Sequence, residues 1–103
     1  MKHTIDEEYI FIDTNLNINE NSIIGHSHQQ YKRNLGSYVL VNPGSLGQNR
    51  NYINISNYII WDVEKGVFNL KYLTYDVNMV ITEMKKRSYP LPCINYYKNK
   101  STY

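Results

Sequence analysis

At 103 residues the chain is sized for one small domain, whose core is marginal unless tightly packed or shared with a partner. A net charge of +2 and a single charge run, Lys85-Lys86-Arg87, exclude the clustered basic stripe expected of a nucleic-acid binder. The lone cysteine, Cys93, excludes an internal disulfide, and no apolar run is long enough for a membrane span or a secretory leader, so a cytoplasmic location is expected.

Residues 6–20 are polar and irregular apart from Tyr9-Ile10-Phe11-Ile12, and are expected to be mostly loop. Ser22-Ile23-Ile24 is a short apolar run that stops at Gly25, the pattern of a buried strand feeding a loop. Gln30-Tyr31-Lys32-Arg33 reads as a partly exposed strand, and Leu35-Gly36-Ser37 as a hairpin turn in which Gly36 supplies positive φ. Tyr38-Val39-Leu40-Val41 is aromatic and β-branched. Asn42-Pro43-Gly44 should end that strand at Val41, because proline lacks a backbone donor.

Residues 45–55 form a polar loop rich in Gly, Gln and Asn, followed by strands at 57–63 and 67–73 that Glu64-Lys65-Gly66 joins into a hairpin. Asp76 is placed to cap a helix, and Val77, Val80, Ile81 and Met84 follow the i, i+3, i+4, i+7 spacing of an apolar helical face. That helix should end before Pro90, since Tyr89 is biased out of the helical region. Residues 91–103 are expected to be ordered only near their start. Mainly antiparallel strands followed by one C-terminal helix give an α+β class.

The main chemical signal is Gly25-His26-Ser27-His28. Imidazole is a good ligand for Zn, Fe, Ni and Mn. In an irregular loop both rings can reach neighbouring points in space, and the ions of a two-metal hydrolytic site lie roughly 3.5–4 Å apart, so each ring could serve a different ion. Taken alone, His-x-His is also the pattern of solvated loop histidines with no ligand role, and the spacing by itself favours that reading. The second signal is Asn42-Pro43-Gly44-Ser45-Leu46-Gly47-Gln48-Asn49-Arg50, one hairpin later, which alone reads as a tight loop closing a strand.

The two signals in order, with the strand pair and Tyr75-Asp76-Val77 at the helix start, resemble the end of the small bacterial and archaeal calcineurin-like metallophosphoesterases. Glu8-Tyr9-Ile10-Phe11 is similar to the stretch just before that family's Gly-His-x-His strand, so the resemblance runs from about Glu8 to about Pro92. It implies the C-terminal part of a four-layer αββα sandwich in residues 1–92, with residues 93–103 as a tail. It also implies divalent metal cofactors (Mn, Fe, Ni or Zn) and a phosphate-ester substrate. In that family two metal ions activate a water that attacks phosphorus in line. By the resemblance His26 would be a ligand of the second metal and His28 of the first, with Ser27 between them and residues 42–47 closing beside the site. Arg50 would face either substrate phosphate or solvent.

The family's Asp-x-His, Gly-Asp-x-x-Asp and Gly-Asn-His blocks do not occur in these residues. His3 is followed by Thr4 where the family has glycine, and is not expected to be a ligand. Asp6, Asp13 and Glu20 could donate carboxylates, but nothing in the sequence places them near His26. The expectation is therefore a truncated metal-dependent phosphoesterase, inactive alone and not itself sufficient to hold the metals. An uncovered apolar sheet face would invite homo-oligomerisation, and a metal site could be completed by His26 and His28 of two chains. The alternative is a non-catalytic binding or assembly module of small α+β type.

Overall fold

The computed structural model describes residues 18–103. The strands are β1 (Ser22–Ile23), β2 (Gln30–Leu35), β3 (Tyr38–Pro43), β4 (Ile55–Asp62) and β5 (Val67–Thr74), and the helices are α1 (Val77–Lys86) and α2 (Leu91–Asn99). One sheet has the order β1-β3-β2 and the other is the β4-β5 ribbon. β2 pairs antiparallel with β3 through the turn at Gly36, whose φ is +70°, and β1 pairs parallel with β3. β4 and β5 form the expected hairpin, with Gly66 at φ +65° in its turn. The class is α+β and the strands are mostly antiparallel.

Side chains from β2 and backbone from the β3–β4 loop fasten the two sheets together. The Gln30 amide nitrogen donates to the carbonyl oxygens of Tyr58 and Lys71, at 3.0 and 2.9 Å, and so holds both strands of the second hairpin. The Asn57 N–H donates to the Ser45 carbonyl at 3.0 Å, and the Ser56 hydroxyl donates to the Leu46 carbonyl. The sheet core is small: Tyr31, Leu40, Val41 and Phe68 are buried. The β4–β5 ribbon carries apolar residues on both faces, so Ile60 and Leu73 on one face and Trp61 and Leu70 on the other are left exposed.

The helices make a second apolar cluster of Ile53, Val77, Ile81, Met84 and Ile94, with Tyr75, Val80, Tyr96 and Tyr97 packed around it. The Asp76 carboxylate accepts from the Asn78 N–H at 2.9 Å and caps α1 as expected. Lys85 and Lys86 sit in its last turn, where the negative end of the helix dipole favours them.

Four sequence expectations need correction. β1 is not a buried strand: Ile23 is 47% exposed, because the two-residue strand lies at the sheet edge with β3 on one side only among the described residues. β3 continues past Val41 to Pro43, opposite Gln30. A proline in the last strand position forfeits at most one ladder bond, so it does not stop the strand earlier. The loop before β4 is not wholly polar, since Ile53 is fully buried under the helices. Among the described residues there are two helices rather than one, and residues 91–99 do not trail away. Pro90 and Pro92 fall at the cap and first turn of α2, where backbone N–H groups have no intrahelical partner and proline's fixed φ suits the start. The chain beyond α2 is held too: the Ile53 N–H donates to the Ser101 carbonyl at 2.9 Å, and the Tyr103 N–H to the Asn54 side chain at 2.7 Å.

Candidate metal centre

Because β1 and β2 flank β3, the chain between them must cross the C-terminal end of β3. The Gly25-His26-Ser27-His28 segment makes that crossing. The Ile24 N–H bonds the Val41 carbonyl at 2.9 Å at one side, and β2 resumes at Gln30 on the other.

Asn42, at the end of β3, meets the crossing from below. Its amide nitrogen donates to Ser27 Oγ at 3.1 Å and to the Gly25 carbonyl at 3.3 Å, while its Oδ1 accepts the Gly44 N–H at 2.9 Å. Ser27 Oγ also accepts the Gln29 N–H at 3.3 Å. Asn42 and Ser27 are both completely buried. Buried polar groups are costly unless paired, so this network fixes Ser27 inward.

With Ser27 turned in, the residues on either side take left-handed backbone conformations, His26 at φ 85° and His28 at φ 62°. Such φ values cost an L-residue roughly 1–2 kcal/mol each, and strain of this kind gathers at functional sites. His26 is exposed and His28 half-buried. The Nδ1 of His28 lies 3.0 Å from the Gln48 carbonyl oxygen. A carbonyl can only accept, so Nδ1 carries the proton and the lone pair of a neutral ring is at Nε2. That is how metal-ligating imidazoles are commonly oriented, with a backbone oxygen fixing the tautomer.

Of the span 42–47, Asn42 touches the histidine crossing, and the contact to His28 comes from Gln48, outside that span. The sequence reading missed the parts played by Ser27 and Gln48. A serine between two histidines gives no sign of its burial, and a backbone acceptor has no sequence signature. Arg50 is half-buried, and its guanidinium donates to the Tyr96 hydroxyl at 2.7 Å, tying the loop to α2. Glu20 is exposed, while His3, Asp6 and Asp13 lie outside the described residues.

Among the described residues no group of three or more His, Cys, Asp or Glu is gathered to hold a metal ion. The orientation of His28 fits a metal ligand in kind, but the described residues do not make a complete donor set. Among them, too, no helix is long and apolar enough to cross a membrane.

A search of curated proteins and a search of solved structures each returned no match. The family model for the calcineurin-like phosphoesterase superfamily domain matches residues 11–66, more than half of the chain. That span contains the histidine crossing, the Asn42 anchor and the Gln48 contact. The chain belongs to the calcineurin-like phosphoesterase superfamily.

Proposed function

We propose that this chain supplies His26 and His28 as metal ligands to a phosphoester-hydrolysing site whose acidic ligands come from polypeptide other than these 103 residues. The superfamily is generally metal-dependent. The observation that carries the reading is the contact between His28 Nδ1 and the Gln48 carbonyl at 3.0 Å, which leaves Nε2 as the ligating atom. When bound, divalent ions (Mn, Fe, Ni or Zn) would supply positive charge to phosphoryl oxygens and a water made acidic enough to attack phosphorus. The chain's own part is to hold two neutral imidazoles in a prebent loop. Neutral imidazoles bring no negative charge and no bridging oxygen, so on this reading the chain alone turns over little substrate.

In the same reading β1–β5 and the helices belong to one part of the four-layer sandwich, and the exposed apolar faces of β4 and β5 meet the completing polypeptide or a second copy of the chain. Those exposed faces equally favour the second reading, a non-catalytic assembly module of small α+β type.

The test is reconstitution. The chain is mixed with a polypeptide carrying the Asp-x-His, Gly-Asp-x-x-Asp and Gly-Asn-His blocks, and hydrolysis of bis-p-nitrophenyl phosphate is followed with and without Mn²⁺. Metal-dependent turnover is expected, with a loss of at least about 100-fold in His28→Ala, the scale of losing a catalytic metal's electrostatic stabilisation. Absence of turnover in a complex that forms would leave only the assembly reading.

A further inference from the structure

Arg50, Tyr96 and Lys100 are half-buried and meet where the β3–β4 loop touches α2. The Arg50 guanidinium donates to the Tyr96 hydroxyl oxygen at 2.7 Å, and the Lys100 ammonium stands 4.8 Å from the centre of the same ring. Tyr97 meets Tyr96 edge to face, with ring centres 5.5 Å apart, and holds the ring in place. Tyr96 and Lys100, with Pro92, Asn95 and Asn99, line a cavity of about 450 Å³ on α2.

The directions of the hydrogen bonds decide what such a place can hold. A phenol oxygen that accepts from Arg50 sends its own proton elsewhere. The bond to Tyr96 uses one of the five N–H groups of a guanidinium, and an ammonium over a ring face still has N–H groups to give. Asn95 and Asn99 add amide N–H groups at the cavity wall. Loop, ring edge and helix end thus all present donors, and Arg50 and Lys100 are positively charged as well. A half-buried cation has given up part of its hydration, which an anion replaces better than a neutral ligand does. A carboxylate offers its oxygens in one plane. A phosphate offers them in several directions, and the guanidinium fork matches it.

We propose that Arg50, Tyr96 and Lys100 bind a phosphate group, free or in a monoester, with Asn95 and Asn99 beside it. Arg50 and Lys100 supply the charge, and the Tyr96 hydroxyl supplies a directed donor. His26 and His28 take no part, and α2 lies beyond the matched span 11–66, so the proposal does not rest on the function proposed above.

The test is calorimetric titration of inorganic phosphate into the full chain at low ionic strength, in EDTA so that no metal-bound phosphate contributes. Saturable binding is expected, tighter than that of acetate. It should weaken by about tenfold in Lys100→Met and in Tyr96→Phe, the scale of one hydrogen bond to a charged group. Arg50→Lys keeps the charge without the fork and should fall between wild type and Arg50→Gln. Thermal unfolding followed by circular dichroism selects the variants that fold, and Lys100 follows the last residue of α2, so its change leaves the helix core intact. A parallel titration with phenyl phosphate tells the two sources apart, binding tighter than phosphate if the site serves monoesters and weaker if it serves the free ion. No saturable binding at millimolar phosphate, equal binding of acetate, or unchanged affinity in folded Lys100→Met overturns the proposal. So does binding that is lost in His28→Ala, which would put the anion at the histidine crossing.

Discussion

Asn42 Nδ2 lies 3.1 Å from Ser27 Oγ, and both residues are completely excluded from solvent. The pair joins the end of a strand to the middle of the histidine crossing, so one amide sets the direction in which two imidazoles leave the backbone. Asn42→Ala removes both donors and leaves the completely buried Ser27 Oγ short of a partner, while Gly25 is exposed. A loss of about 1–3 kcal/mol follows from the desolvation cost of such groups, read as a lower urea midpoint at pH 7.

Gly44 and Gly36 both have positive φ, +87° and +70°, but only Gly44 is crowded. A Cβ at Gly44 would stand 2.8 Å from the Asn57 Cβ, whereas one at Gly36 meets nothing within 4 Å. Gly36→Ala should therefore cost only the backbone penalty of about 1–2 kcal/mol. Gly44→Ala should cost more, since overpacking adds roughly 1–3 kcal/mol. Paired denaturation curves decide it: equal losses would mean that the loop and Asn57 are not in contact.

Ile94 of α2 is 5% exposed against Ile53, Val77, Ile81 and Met84. Ile94→Ala is expected to destabilise the chain by about 2–5 kcal/mol, the range for emptying a well-packed aliphatic site. Deleting residues 91–103 should abolish the cooperative thermal transition, as followed by circular dichroism. An unchanged melting curve would show α2 to be dispensable.

Burial, and then the neighbouring Tyr97, hold the Tyr75 phenol above its ordinary value of about 10. Its hydroxyl donates to the Ile53 carbonyl. The folded state thus keeps this proton more tightly than the unfolded chain does. The contribution is whole below pH about 10 and is lost as pH rises through the folded-state value. Tyr75→Phe should lower stability at pH 7 by about 0.5–1.5 kcal/mol. The gap from wild type should then narrow above pH 10 in urea titrations.

Local signals in the sequence were read reliably where one residue decides the outcome. Gly36 and Gly66 closed the hairpins, and Asp76 opened α1. The helical spacing of Val77, Ile81 and Met84 gave the buried face. What the sequence hid is long-range. Ile53 sits in a polar loop and becomes core only because two helices close over it. Pro90 and Pro92 act as breakers for α1 and as starters for α2, and composition does not separate those uses. At the candidate site the histidines announced themselves, while the group that orients His28 is the backbone of Gln48, twenty positions away.

The crossing from β1 to β2 has a dynamic consequence. Both of its ends are stitched to the same central strand, by the Ile24–Val41 bond on one flank and the Gln30–Pro43 register on the other. It cannot swing out like an ordinary surface loop without unzipping β3. Its Gln29 amide, bonded to Ser27, should therefore pick up deuterium with the slowest amides of the sheet, so that a cation would meet a rigid cradle and not a closing lid.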